Sequence, residues 1–240
     1  MTITSDMKVA QIAARFPATV RVFQEHGIDF CCGGGRTLQK VAEEDGFDLP
    51  TLSAELESAI AGATADELDW NEAPLDELAD YIVGRFHESL RRELPRLAAM
   101  AEKVERVHGE RFPDMLPELR RTFDNLAAEL DSHTMKEEQI LFPAIRQLSG
   151  RSGEPNLSFG IEGPIAVMEM EHQDAAEALA KMRELTDGYT VPASACNTFR
   201  ALFFGLDELE RETKEHIHME NNILFPRALS LFEEKLSRTA

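Results

Sequence analysis

Apolar residues recur along most of this chain at spacings of three and four, and no stretch alternates apolar with polar residues for long enough to make a strand. The pattern predicts an all-α protein. Short helices are expected at 8–15, 18–26, 37–45 and 50–61, punctuated by Pro17, Gly27, the CCGGG run from Cys31 to Gly35, and Gly46. Four longer helices follow at about 75–108, 117–148, 164–187 and 194–233, the first with Leu75, Leu78, Ile82, Phe86, Leu90, Leu94, Leu97 and Val104 on one stripe. Between the two sets, GATADELDWNEAP carries little periodicity and ends on Pro74, well placed to open a helix. The expected organisation is a small helical domain over 1–62, a linker over 63–74, and an up-down-up-down four-helix bundle over 75–240.

Two of the long helices carry nearly the same string. HTMKEEQILFP begins at His133 and HIHMENNILFP at His216. Residues four apart share a helix face, so His133 projects with Glu137 and His216 with Glu220. Leu126, Leu130 and Ile140 are expected on the face of the first pair, Leu209 and Ile223 on that of the second. A single buried His–Glu pair is explained by a structural hydrogen bond as well as by metal ligation. The repeat favours metal.

Each of the other long helices adds an inward histidine: His87 among Val83, Leu90 and Leu94, and His172 among Ile165, Met168 and Leu179. Counted from the turn near position 112 at about 1.5 Å per residue, His87, His133 and Glu137 share a level. Four imidazoles and two carboxylates suit two metal ions, with Glu137 and Glu220 able to bridge, and iron, manganese and zinc all accept such donors. Glu129 and Glu171 are candidates for orienting the ligands. Pro143 and Pro226 each follow a motif glutamate by six residues and bring the same helix disruption. His108 falls at the end of the bundle, His218 on a polar face with Lys214, Glu215, Asn221 and Asn222, and His26 at a helix end beside Gly27.

The 240 residues include 44 acidic and 25 basic side chains, a formal charge of −19. That field repels nucleic-acid phosphates and anionic lipid, so neither nucleic acid nor membrane is an expected partner. No apolar run approaches a membrane span and the N-terminus has no basic-then-apolar leader pattern, which points to the cytoplasm. Three cysteines, two of them adjacent, cannot build a disulfide framework. Cys31 and Cys32 precede three glycines and a helix start near Thr37, where exposed backbone N–H groups would favour thiolates suited to metal, nitrosyl or redox chemistry. They are the candidate catalytic residues. Cys196 reads as core, and a phosphate loop is a weaker alternative for CCGGG because no GKS follows.

With DFCCGGG, EEQILFP and NNILFPRAL in place, the chain resembles over essentially its whole length the iron-centre repair proteins, whose N-terminal domain carries DFCCGGG and whose C-terminal domain is hemerythrin-like. The resemblance implies two non-haem iron ions, open to an oxo or hydroxo bridge, held by His87, His133, Glu137, His172, His216 and Glu220, with Cys31 and Cys32 as the N-terminal pair. It implies a role in nitric oxide and oxidative stress: restoring damaged iron-sulfur proteins by supplying iron, with nitric oxide or dioxygen as small ligands. Oxygen-carrying hemerythrins use a fifth histidine, for which this chain offers no counterpart at the right height. A di-iron enzyme that reduces nitric oxide, or a gas sensor, is the alternative, so whether the protein is an enzyme stays open.

Overall fold

The computed structural model describes residues 3–63, 69–150 and 160–239. The centre of the expected linker and most of the connection between the second and third long helices lie outside the described residues. Four short helices come first: α1 (Val9–Arg15), α2 (Thr19–Glu25), α3 (Leu38–Asp45) and α4 (Leu49–Gly62). Then come α5 (Leu75–Ile82), a π-helical turn Val83–His87, and α6 (Glu88–His108). The chain continues through α7 (Leu116–Lys136), a second π turn Glu137–Leu141, α8 (Phe142–Leu148) and α9 (Glu162–Leu185). It finishes with α10 (Asn197–Met219), a third π turn Glu220–Leu224, and α11 (Phe225–Thr239). The all-α helical bundle expected from periodicity is what the chain forms. No helix among the described residues is long and apolar enough to cross a membrane.

The chain divides into two compact units, residues 1–78 with 214–240, and residues 79–213. In the first, capping sets the short helices. Thr37 Oγ1 accepts from the Lys40 N–H to open α3, Gly46 ends it at φ 80°, and the Asp48 carboxylate accepts from the Thr51 N–H to open α4. Val9, Ile12, Phe23, Phe30, Leu38, Val41, Leu52 and Leu56 form the core of these helices, each at most 2 % exposed. Full burial of one such side chain stabilises by about 1.5–3 kcal/mol. The CCGGG loop is tied to α1 by backbone bonds from the Val9 N–H to the Arg36 carbonyl and from the Ala10 N–H to the Gly34 carbonyl.

In the second unit α6 packs along α7, and α7 along α9. The entire stripe read from the first long helix, Leu75 to Val104, is buried. Gly205 on α10 lets that helix approach α6 closely, because a Cβ there would stand 2.6 Å from Leu97 Cδ2. Ile140 departs from its expected face and is 48 % exposed. It lies inside the second π turn, whose extra residue rotates the face that an uninterrupted α-helix would present.

Candidate metal centre

Each of the three π turns among the described residues carries a predicted ligand. His87 ends the first, Glu137 begins the second and Glu220 begins the third. Each turn is closed by an N–H reaching back five residues: Glu88 to Val83, Phe142 to Glu137 and Phe225 to Glu220. In the second and third the next residue is Pro143 or Pro226, which has no N–H to continue the α pattern. Widened turns of this kind concentrate at functional sites.

Within the second unit His87, His133, Glu137 and His172 converge, all at most 3 % exposed. His87 Nε2 lies 3.3 Å from Glu137 Oε2, and His133 Nε2 lies 3.3 Å from Glu137 Oε1. Each oxygen of Glu137 thus faces a different imidazole. His172 Nε2 is 3.1 Å from His133 Nε2, and the donor atoms of His133, Glu137 and His172 all lie within 4.8 Å of one another.

The far nitrogens of two of these rings are held by carboxylates. His87 Nδ1–H donates to Glu138 Oε1 at 2.8 Å, and His133 Nδ1–H donates to Glu171 Oε2 at 2.9 Å. A carboxylate can only accept here, so Nδ1 keeps the proton and each ring turns Nε2 toward Glu137. Neutral rings would set lone pairs against a buried carboxylate and repel it; a cation between them converts that repulsion into coordination. The donor set therefore fits a metal ion.

Glu138 and Glu171 are in turn gripped by Arg91 and Lys136. Burial alone would raise the Glu171 carboxyl, but Lys136 and His133 outweigh it and hold the group below the ordinary carboxylate range. The His172 ring nitrogens have no part in the Glu171 contact, which goes to His133 across the helices. Glu138, absent from the sequence-based candidates, orients His87, while Glu129 stands on the wall of a cavity of about 330 Å³ with His133, Lys136, Glu171, His172 and Asp174. Phe142 stacks on the His87 ring with centroids 5.7 Å apart.

Within the first unit His216 Nε2 lies 3.1 Å from Glu220 Oε1, and both residues are buried. Two residues beyond His216, His218 is 2 % exposed rather than solvated as its neighbours suggested. Its ring meets Phe30 edge-on at 5.4 Å, and burial pushes its pKa down to about 4, so it is neutral. The signal was the CCGGG domain itself, which needs a surface to cover and finds it here.

The cysteine loop also departs from expectation. The N–H groups of Cys31, Cys32 and Gly33 are there, but all three donate to the Asp29 carboxylate, at 3.0, 3.1 and 2.9 Å. The anion that the loop would stabilise is already Asp29, an Asx-type turn. Cys31 is 4 % exposed, and its thiol is pushed well above the ordinary range by its contact with Cys32, by burial and by the Asp29 charge. Cys32 is half-buried. The loop's N–H groups, which sequence alone would turn toward thiolates, are thus taken by Asp29.

The remaining residues sort cleanly. His26 Nε2 lies 2.5 Å from Glu55 Oε2. His108 lies outside the cluster, with Nε2 3.3 Å from Cys196 Sγ. Cys196 is exposed rather than core, because it stands just before α10 instead of on its inward face.

Residues 78–228, which include all six predicted ligands, match the hemerythrin HHE cation binding domain, and residues 5–60 match a domain of unknown function, DUF542. Over 93 % of its length the chain is 46 % identical to the iron-sulfur cluster repair protein YtfE of Edwardsiella ictaluri, covering 97 % of that protein. It is 43 % identical to the protein of the same name from Pectobacterium carotovorum, with 93 % of this chain and 97 % of the relative aligned. The Musicola paradisiaca protein of that name is also 43 % identical, over 93 % of this chain and 96 % of its own.

Proposed function

The chain belongs to the family of iron-sulfur cluster repair proteins built on the hemerythrin HHE domain, and from that premise we propose that it restores damaged clusters by holding and releasing iron at a two-metal centre. His87, His133, Glu137, His172, His216 and Glu220 are the proposed ligands. Glu137 carries the proposal: it is fully buried, and its two oxygens each face a different imidazole, the posture of a carboxylate that spans two cations. The second His–Glu pair repeats the spacing of the first, and Glu220, whose Oε1 faces His216 Nε2 at 3.1 Å, would hold a cation together with that ring.

Two non-haem irons with an oxo or hydroxo bridge would supply exchangeable iron and an open position for nitric oxide or dioxygen. The chain's own residues do the rest. Glu138 and Glu171 fix the tautomers of His87 and His133 and aim Nε2 inward. Phe142 shields the His87 ring from water. Cys31 and Cys32 are proposed to take iron from or pass it to a client protein, each thiol giving up its proton as the sulfur–metal bond forms, or to exchange that proton for the nitroso group of a client S-nitrosothiol, Cys32 first because it is the more exposed. Clients are damaged iron-sulfur proteins, met in a reducing compartment such as the cytoplasm.

Metal content tests the ligand set. His133→Ala and Glu220→Ala should each bind less than half the iron of the parent chain after anaerobic reconstitution, whereas the exposed Glu208→Ala should bind as much. Equal iron in all three sinks the assignment. Repair is tested by reactivation of a [4Fe–4S] dehydratase inactivated with nitric oxide. The parent chain should restore activity, and the doubly substituted Cys31→Ser, Cys32→Ser chain should restore it more slowly.

A further inference from the structure

The Cys31–Cys32 loop and the ligand-bearing last helix meet at one side chain in the first unit. Asn222 Nδ2 donates to the Phe30 carbonyl at 3.2 Å and to the Cys31 carbonyl at 3.2 Å, and it lies 3.0 Å from His218 Nδ1. An amide nitrogen carries two hydrogens, which here are shared among three acceptors. Neutral His218 accepts at Nδ1 while its ring edge rests on Phe30, which is itself fully buried. Asn222 is the third residue of the π turn that Glu220 begins.

A π turn is a single-turn interruption of the α pattern, here closed by the Phe225 N–H on the Glu220 carbonyl, so contacts from outside the helix help to set its register. The carbonyls of Phe30 and Cys31 provide such contacts. A shift of either carbonyl strains its bond to Asn222, which lies in the same π turn as Glu220.

We propose that Asn222 is a positioning residue through which the Cys31–Cys32 loop sets the orientation of Glu220, so that a group taken up by the cysteines loosens the hold on iron. The inference rests on the assignment of Glu220 as a ligand. It makes the cysteine domain more than a relay: capture at the thiols and release of iron from the bundle become one coupled event, whether the thiol exchanges its proton for the nitroso group of an S-nitrosothiol, whose own sulfur takes that proton, or loses it to solvent on binding a soft metal ion. Losing the two amide-to-carbonyl bonds should change the release equilibrium about tenfold.

The test uses full-length protein carrying Cys196→Ser, so that maleimide reaches Cys32 and leaves the bundle untouched. Iron-loaded protein is mixed with a ferrous chelator and the release rate is followed by absorbance. Alkylation should speed release about tenfold, and Asn222→Leu should speed it as much without alkylation. Alkylating Asn222→Leu should then add nothing, while Asn222→Gln, which keeps the donor, should restore sensitivity. Multiplicative effects of alkylation and Asn222→Leu, or an alkylated parent that releases iron at the unmodified rate, overturn the proposal.

Amide hydrogen exchange on the metal-free chain separates this failure from failure of the iron assignment. Alkylation should raise exchange at Glu220–Leu224 while α3 and α4 keep theirs. Unchanged exchange in the π turn refutes the link whether or not iron binds, whereas raised exchange in a chain that binds no iron leaves the link standing and removes the ligand role of Glu220.

Discussion

Two adjacent glycines of the CCGGG loop should respond to alanine with opposite signs. At Gly34 an added Cβ would stand 2.7 Å from Ala10 Cβ, 2.7 Å from the Phe30 carbonyl oxygen and 3.0 Å from the Ala10 nitrogen. None of these is the end of a flexible side chain, so α1 and the loop must separate. Overpacking of this kind costs about 1–3 kcal/mol. Separation also weakens the 2.9 Å bond from the Ala10 N–H to the Gly34 carbonyl, which is about 1 kcal/mol more. Against that, alanine stiffens the unfolded chain and returns about 0.4–1 kcal/mol. The net loss is roughly 1–3.5 kcal/mol.

At Gly35 nothing lies within 4 Å of an added Cβ, and its φ is not positive, so only the stiffening remains: a gain of about 0.4–1 kcal/mol. Urea unfolding of metal-free protein, followed by the fluorescence of Trp70, the chain's one tryptophan, should give a midpoint below the parent for Gly34→Ala and slightly above it for Gly35→Ala. The packing argument fails if Gly34→Ala unfolds at or above the parent midpoint, or if both variants fall together.

Other outcomes follow from groups already described. The Cys196 thiol is pushed down to about 7, first by His108 and then by the Phe199 N–H, so its thiolate grows in as pH rises through that value. Alkylation by iodoacetamide should follow the same midpoint, modify Cys196 before Cys31, and move toward about 8.5 in His108→Ala; a midpoint that ignores His108 would contradict the pairing. Glu138→Gln and Glu171→Gln should each weaken iron binding about 10–100-fold in a competition titration, because each leaves an imidazole without its orienting carboxylate. Parent-like affinity in both would remove those residues from the site. Tyr189→Phe should cost about 1–2 kcal/mol by calorimetry, since the buried hydroxyl donates to Glu210 Oε2 at 3.0 Å while Arg183 keeps that carboxylate compensated.

How much of this was legible in the sequence divides along one physical line. Contacts made along a single helix face could be read: the Leu75–Val104 stripe, the inward His133 and Glu137, and the short helices, whose boundaries fall within one residue of expectation. The disruption after each motif glutamate was legible too, because Pro143 and Pro226 announce it. That the disruption is a π turn was not. The turn Val83–His87 has no proline to mark it, and periodicity counted at 3.6 residues per turn cannot register one inserted residue, which is why Ile140 was assigned inward. Glu138 was missed for a related reason, since sequence neighbours on an α-helix project about 100° apart and were not expected to serve one site.

His218 and Asn222 show the deeper limit. A hydrophobic stripe identifies the face a helix turns toward its own bundle, and judged by that face both residues are polar and outward. The last helix, however, has two buried faces. One carries His216 and Glu220; the other receives Phe30 and the Cys31 backbone, about 190 residues earlier in the chain. A small helical domain whose loop carries two cysteines has backbone carbonyls to satisfy, and an Asn and a neutral His supply contacts that an apolar face could not. Polar residues on the outer face of a ligand-bearing helix, beside a Gly-rich Cys loop elsewhere in the chain, are therefore better read as a docking strip than as solvent contact. On that reading His218→Ala should destabilise the cysteine domain before it affects metal content, and iron loss without any change in that domain's unfolding would return His218 to the ligand question.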